Sequence, residues 1–330
     1  MNLNQFHTDP HFQVAELTAA INEAKAAPTV LGSLGIFQEQ GIRGSHFEVE
    51  LDGNALTLVM PSERGGVPSA PPRARRKKVP FSTAHLEVPG FIGADEVLNA
   101  RAFGSQTELQ TIQSAVNSEL ERAKQSLLAT RELMRAGAIT GLVVDAEGNT
   151  LLDIYSAFGL TRPDAVVFNP AAKKTKAMLA AGKRAAKEYL GPSMVKGWML
   201  ICGSDFFDAF SGADDVVAYL QNRNGNSNDN VADMTDGMNF HNVTAFSYDA
   251  SVGGMSFIDP KEAYLLPRAD GMLIGRNAPA DYVETVGTPG LPFYARQELA
   301  PMGKGVMINS QSNPLYLNTR PLAIRRFTIA

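Results

Sequence analysis

Residues 107–138, TELQTIQSAVNSELERAKQSLLATRELMRAGA, carry a single apolar stripe. Leu109, Ile112, Val116, Leu120, Ala123 and Leu127 follow one another at spacings of 3, 4, 4, 3 and 4. That spacing returns to one face of a 3.6-residue turn and predicts a long helix over 107–137, with Thr107 as its cap and Gly137 and Gly141 closing it. At ~1.5 Å per residue such a helix spans ~45 Å, whereas three or four turns are usual in a globular core. The heptads stop after about three repeats, which favours packing on a sheet over a coiled-coil seam.

Upstream of the helix the chain does not read as a compact unit. Val14, Leu17 and Ile21 predict a short helix over 14–26, broken by Pro28, and Gly32, Gly35, Gly41 and Gly44 interrupt the next stretch. Such a segment is an arm that lies on something else. Next, Phe47, Val49 and Leu51 alternate with polar residues, Asp52-Gly53-Asn54 turns the chain, and Leu56, Leu58 and Met60 alternate back. This is a β-hairpin signature, because Asp-Gly suits a turn that needs positive φ. From Pro61 to Lys78 come four prolines, two glycines and a basic cluster, with no apolar period. A structureless loop of that length is uncommon inside a compact monomer. Alternation resumes at Val79, Phe81 and Leu86, so 46–88 reads as two extended limbs around a loop tip. One chain has little to pack such a limb against; a neighbouring chain could supply the surface.

Downstream, strands and helices alternate. A strand is expected at 165–168, a basic-faced helix at 171–189 and a buried strand at 197–202, followed by short helices at 205–210 and 214–220. A polar run fills 221–230. Strands are then expected at 240–248, 254–258, 262–266, 281–286, 293–298 and 305–309, with an alternating closing tail of Leu322, Ile324 and Phe327. There is no internal repeat. The fold class is α+β.

Composition excludes several functions. The 330 residues are 44% hydrophobic and 19% charged, which is a globular balance. A net charge of −4 gives no reason to expect a protein whose main affinity is for nucleic acid. Cys202 is the one cysteine, so an intrachain disulfide and a cysteine-built zinc site are both ruled out. No apolar run approaches the ~20 residues of a membrane span, and Met1 to Gln5 lacks a secretory n-region, which leaves the expectation of a soluble protein of reducing compartments.

Catalytic patterns are poorly matched. Ala177 to Arg184 ends in Gly182-Lys183 but lacks the upstream glycine of a phosphate loop and the Ser or Thr that holds magnesium. No nucleophile elbow and no dinucleotide fingerprint occurs. His7 and His11 lack a third ligand, and His46, His85 and His241 stand alone. Asp205 with Asp208, or Asp214 with Asp215, could pair as acid and base, although acids at a helix start need no further reason. Asn226 to Asp236 misses the spacing of a calcium loop. Cys202 reads as a buried strand thiol. No cofactor and no metal is expected. The basic cluster Arg73, Arg75, Arg76, Lys77 and Lys78 suits either phosphate or an acidic partner surface.

Three blocks of sequence, taken in order, carry a resemblance. The first is Leu34-Gly-Ile-Phe37, the hairpin and Arg64-Gly65-Gly66. The second is Phe91-Ile-Gly-Ala-Asp-Glu96, then Thr130-Arg-Glu132, Arg135-Ala-Gly-Ala138 and Asp145-Ala-Glu-Gly148. The third is Tyr264-Leu-Leu-Pro267, Ala278-Pro-Ala-Asp281, Glu284-Thr285, Gln311-Ser-Asn-Pro-Leu315 and Thr319-Arg-Pro321. Over nearly its whole length the chain resembles the lambda-like phage major capsid protein E family of tailed phages.

The resemblance implies the HK97-type capsid fold. It makes 1–45 an N-terminal arm, 46–88 an extended E-loop, and 89–149 a peripheral domain with the helix at 107–137 as its spine. Residues 150–275 become an axial domain, and 276–330 return to the peripheral domain. The implied role is a subunit that forms pentamers and hexamers of itself and closes an icosahedral head around phage DNA. Arg64, Arg73, Arg75, Arg76, Lys77 and Lys78 of the loop become expected inter-subunit contacts. A separate scaffold protein, a portal, a decoration protein and non-specific proximity to packaged double-stranded DNA are the implied partners, with no membrane. The implied location is the virion capsid, after assembly in the host bacterial cytoplasm. An encapsulin-like compartment is the alternative within the fold, and an α+β enzyme with mobile lids the alternative outside it.

Overall fold

The computed structural model describes residues 13–27, 29–51, 77–93, 108–191, 193–223 and 237–329, with backbone alone for 50, 51, 77 and 108–112. The chain begins with helices α1 (Val14–Glu23) and α2 (Val30–Ser33) and the strand β1 (Gln38–Gly41). Two paired strands come next, β2 (His46–Leu51) and β3 (Lys77–Ser82), then β4 (Leu86–Gly93) and the long helix α3 (Glu108–Thr140).

Helix α3 organises the molecule because its buried stripe passes through successive cores. Near its start, Val116, Leu120 and Leu127 pack with Leu17 and Ile21 of α1 and with Ile92, Phe293, Ala295, Val306 and Ile308. Leu109 and Ile112 lie in the helix, but their side chains are outside the described residues. Further along, Met134 and Ala138 join Val49, Val79 and Phe81, while Ala136 and Ile139 meet Ile201, Tyr264 and Leu266. From Arg131 to Ile139 every residue is buried, so the helix is solvated at one end and interior at the other.

The predicted helix end at Gly137 is corrected. The helix continues to Thr140, and Gly141, at φ +91°, ends it. Gly137 is needed for close approach instead: a Cβ there would sit 2.7 Å from the Val143 Cα and 2.8 Å from the Leu142 carbonyl oxygen. A short hairpin, β5 (Leu142–Val144) and β6 (Thr150–Asp153), returns the chain to α4 (Ile154–Phe158).

The expected arm and limbs lie partly on their own chain. Helix α1 rests on α3 and its associated sheet, and the limb root formed by β2 and β3 buries Val49, Val79 and Phe81. Phe81 meets Phe158 at 5.4 Å between ring centroids, and the Arg276 guanidinium lies 4.9 Å from the Phe47 ring. Two apolar positions on each limb, facing one way, are enough to seat the root intramolecularly. The expected turn at Asp52-Gly53-Asn54 and the return limb at 56–60 lie outside the described residues; the described partner of β2 is β3.

The second half contains β7 (Val166–Phe168), α5 (Thr175–Leu190), β8 (Val195–Cys202), α6 (Ser204–Ser211), α7 (Asp214–Arg223), β9 (Met238–Phe240) and β10 (Val243–Ser247). A two-residue hairpin of β11 (Ser251–Val252) and β12 (Met255–Ser256) leads to β13 (Glu262–Ala269), β14 (Leu273–Asn277), β15 (Tyr294–Leu299), β16 (Gly305–Ser312), β17 (Pro314–Asn318) and β18 (Arg325–Ile329). Six of these strands form one sheet in the order β7-β18-β13-β8-β10-β9. Its central strand β8 is apolar on both faces, as a strand covered on both sides must be. Leu200 and Cys202 face α5, α6 and α7, while Ile201 faces the end of α3.

Two strand expectations are corrected. The run 240–248 is divided because His241 and Asn242 both adopt positive φ, 45° and 60°, and reverse the chain between β9 and β10. The run 281–286 is a single helical turn, Val283–Thr285, in which the Thr285 hydroxyl donates to the Ala280 and Tyr282 carbonyl oxygens. The helix expected from 171 starts at Thr175, after a separate turn at Pro170–Ala172 capped by Asn169.

Two three-stranded sheets complete the fold. One is β15-β16-β4; the other is β1-β14-β17, in which the arm strand β1 pairs in parallel with β14, Glu39 beside Gly275. The tail does not all return to the α3 side, since β18 is inserted between β7 and β13 in the six-stranded sheet.

Candidate functional site

The most concentrated polar chemistry among the described residues is buried, not in a cleft. Arg131 and Arg135 are one helical turn apart on α3 and therefore share a face. Glu132, beside Arg131, turns toward α2. The strand β1 delivers Glu39 from the opposite side, and β17 delivers Tyr316.

Glu39 bridges both arginines, with Oε2 at 2.8 Å from Arg131 Nη2 and Oε1 at 2.7 Å from Arg135 Nη2. The Tyr316 hydroxyl donates to the same Oε1 at 2.9 Å. Arg131, 1% exposed, also donates to Asn277 Oδ1, the Pro292 carbonyl oxygen and Ser312 Oγ. Arg135 donates to Thr29 Oγ1 at 3.2 Å and Glu132 Oε2 at 3.3 Å. Glu132 Oε1 accepts from the Leu31 amide at 2.6 Å and the Tyr248 hydroxyl at 3.3 Å. The Tyr316 ring lies under both guanidiniums, 5.4 Å from Arg131 and 4.8 Å from Arg135.

Two guanidiniums and two carboxylates make this hub neutral, which is the condition for burying charge at all. Burial pushes the Glu39 carboxyl up, but Arg131, Arg135 and the Tyr316 hydroxyl outweigh it and hold it below its ordinary range. Burial also drives the Tyr316 hydroxyl up to about 12. Its proton therefore stays on and remains available to Glu39. The hub joins α2 and β1 of the arm to α3, β14, β17 and the segment before β15. It is a clamp between chain segments.

The resemblance blocks converge on it. Arg131, Glu132, Arg135 and Ser312 are hub residues, and Phe37 packs edge-on against Tyr316 at 5.3 Å. Other block residues close a turn or tie distant segments: Asp145 accepts the Glu147 and Asn149 amides, while Gln311 donates to Asp281 at 2.7 Å and Arg320 to the Leu190 carbonyl oxygen at 2.7 Å. Sequence reasoning singles out no charge of the hub for this role. Arginines spaced by four on a helix read as solvent-facing, and nothing local announces a carboxylate arriving from Glu39.

The other candidates are dispersed. Arg64, Arg73, Arg75 and Arg76 lie outside the described residues, as do His7, His11 and 226–236. Lys77 is in β3, and Lys78 pairs with Glu48 across the strand pair at 3.1 Å, exposed on both sides. Gly182 and Lys183 sit inside α5, with Gly182 against the Phe327 ring, so this glycine packs a helix on a sheet and makes no phosphate loop. Asp215 accepts the Thr175 amide and hydroxyl at 2.9 and 2.8 Å, tying α7 to α5, and Asp214 pairs with Lys173. His46 contacts Ser82, and His85 contacts Asn313. The Cys202 thiol is buried, which pushes its pKa well up. Among the described residues no three of His, Cys, Asp and Glu are grouped to hold a metal ion. No helix among them is long and apolar enough to cross a membrane.

Comparison with known proteins gives this arrangement a context. Residues 13–329 match the family described as phage major capsid protein E. The major capsid protein of Salmonella phage Felix O1 (isolate Felix O1-VT1) is 27% identical over 154 residues, 46% of this chain and 41% of that protein, so the match spans less than half of the relative's length. Among solved structures, the putative capsid protein of a prophage of E. coli CFT073 is similar with a TM-score of 0.54 at 10% identity, covering 97% of this chain and 99% of that one. The capsid of an empty GTA particle gives 0.55 at 12% identity, covering 93% of each. At such identities the likeness establishes the fold, which is the HK97-type capsid fold in an α+β chain. With the family match running from α1 to β18, the chain belongs to the phage major capsid protein E family.

Proposed function

We propose that this major capsid protein works by self-association, closing rings of five and six copies into the icosahedral shell that encloses phage DNA. The observation that carries the reading is the family match across residues 13–329, joined to a limb root, β2 and β3, that is seated in the chain's own core. Head-to-tail contacts that close produce rings, and large shared interfaces make the assembly more stable than one copy.

In this reading 1–45 is the arm, 46–88 the E-loop, 89–149 the peripheral domain with α3 as spine, 150–275 the axial domain and 276–330 the return. Two adjustments fit the pairing better: the whole β1-β14-β17 sheet counts with the peripheral part, and β18 with the axial sheet. Arg64, Arg73, Arg75, Arg76, Lys77 and Lys78 meet acidic surfaces on adjacent copies. A separate scaffold, a portal and a decoration protein join the shell, which assembles in the host cytoplasm and persists in the virion. The work is structural rather than catalytic: the neutral hub keeps each subunit rigid while contacts between subunits change.

Negative-stain microscopy of the purified chain, alone and with a co-encoded scaffold, tests this. Shells or rings of five and six are the expected result, and a monomer under both conditions overturns the reading.

A further inference from the structure

Helix α5 concentrates the positive charge of a chain that is negative as a whole. Between positions 173 and 188 stand Lys173, Lys174, Lys176, Lys183, Arg184 and Lys187 against one acid, Glu188, while the whole chain carries −4. Packing decides which of these can act. Thr175, Leu179, Gly182, Ala186 and Leu190 are buried against the six-stranded sheet, so the opposite side of the helix faces solvent. Lys176 and Arg184 lie four residues either side of exposed Ala180, Lys187 is one turn beyond Arg184, and half-buried Lys183 stands at the edge of this basic face.

Among the described residues the acids at this face are Asp214, Asp215 and Glu188, fewer than the cations. Lys173 is paired with Asp214, and Asp215 is held by Thr175. Lys183 Nζ donates to the His241 carbonyl oxygen at 2.8 Å, which fixes its ammonium group at the edge of the face without offsetting its charge. Lys176, Arg184 and Lys187 have no ion pair among the described residues. Burial, followed by Lys176 and Lys183, pushes the His241 imidazole toward its neutral form, a sign that the positive field reaches the β9–β10 turn.

Resting on the shell reading above, we infer that the solvent face of α5 is a docking surface for the phosphate backbone of double-stranded DNA. From Lys176 to Lys187 the helix advances ~16 Å, and a duplex presents one charge per ~1.7 Å of its axis, so several phosphates fall within reach of three or four cations. Alanines at 177, 180 and 181 keep the surface low, letting a rigid polyanion approach the helix closely. Phosphate contacts of this kind carry no sequence information. They suit a partner whose sequence is arbitrary at every subunit. Repetition over many copies raises the total attraction without any single strong site.

The test compares the chain with the variant Lys176→Glu/Arg184→Glu/Lys187→Glu, all exposed positions. Each is titrated with a random-sequence linear duplex between 50 and 200 mM salt and inspected for shells by microscopy. The wild type is expected to bind with a log–log salt slope of about −3 to −4, at ~0.9 per phosphate contacted, and the variant to lose about 3 of that slope and at least about ten-fold in affinity at the lowest salt. Its shells should form normally. Equal DNA binding by both chains, or no salt-dependent wild-type binding up to ~1 mM, overturns the inference. A variant that binds DNA normally but fails to form shells also overturns it, assigning the face to an acidic surface of another copy. Failure of the wild type to assemble counts against the shell reading alone, because the DNA slope is measured separately. Should the reversal unfold the subunit, the Lys176→Gln/Arg184→Gln/Lys187→Gln variant carries the same expectations in slope.

Discussion

Glu39 on the arm and Arg131 on the long helix, 92 positions apart in sequence, meet in a 2.8 Å ion pair that anchors a parallel edge strand to the middle of the subunit. With Glu39 removed, Arg131 and Arg135 face a single remaining carboxylate in a buried setting. Breaking a buried pair from one side costs ~3–5 kcal/mol, and the 29% exposure of the Glu39 side chain puts this case at the lower end. Glu39→Gln should therefore lose about 3 kcal/mol in urea unfolding while keeping the subunit's shape. An unchanged midpoint would remove the hub from the stability account.

The same carboxylate predicts a pH response. Burial raises its pKa, but the two guanidiniums and Tyr316 lower it further, so the folded value lies below the ordinary 4.5. A depressed folded pKa contributes stability that is complete above 4.5 and is lost as the pH falls through the folded value. Stability measured downward from pH 5 should fall more steeply for the wild type than for Glu39→Gln. Parallel acid limbs would show that Glu39 is not the group responsible.

Gly137→Ala sets two effects against each other. Alanine is favoured over glycine inside a helix by ~1 kcal/mol. Its Cβ would meet the Val143 backbone at 2.7 Å, where no side chain can rotate away, and forced repacking costs ~1–3 kcal/mol. A net loss of about 1 kcal/mol is expected by thermal unfolding, with a rise in stability as the contrary result.

Leu120 is fully buried in the core shared by α1, α3 and the β15-β16-β4 sheet. Leu120→Asp combines lost apolar burial with a buried charge and should cost about 4 kcal/mol or more, enough to abolish soluble subunit. A melting point near wild type would mean that this stripe faces elsewhere.

Deleting 62–76 spares β3 and the buried Val79 and Phe81, so the subunit should remain folded by circular dichroism. It should fail to form shells under conditions where the full chain does. Unfolding after this deletion would show that the loop belongs to the monomer's own core.

Legibility tracks the range of the interactions. The α3 stripe, the buried strand at 197–202 and the Asp-led starts of α6 and α7 are local patterns, and the chain displays them openly. The strand Leu273–Asn277 is hidden because Gly275 and Arg276 interrupt its apolar alternation; Gly275 is small where Tyr316 and Glu39 crowd against it. The hub is invisible for a different reason. Arg131, Glu132 and Arg135 look like an ordinary solvated helix face, and only the tertiary path of β1 brings Glu39 to them. The basic helix is legible in composition, but which of its cations remain unpaired depends on Asp214 and Asp215 arriving from α7.

The place of β18 has a consequence for synthesis. Among the described residues, β7 is bonded only to β18 within the six-stranded sheet, and β18 is made of residues 325–329. While the ribosome is still translating the intervening chain, β7 has no edge to join, a delay on the order of ten seconds at ~5–20 residues per second. The sheet therefore completes only after residues 325–329 have been made. A chain stopped before them has β13 without its β18 neighbour and β7 without a partner in this sheet.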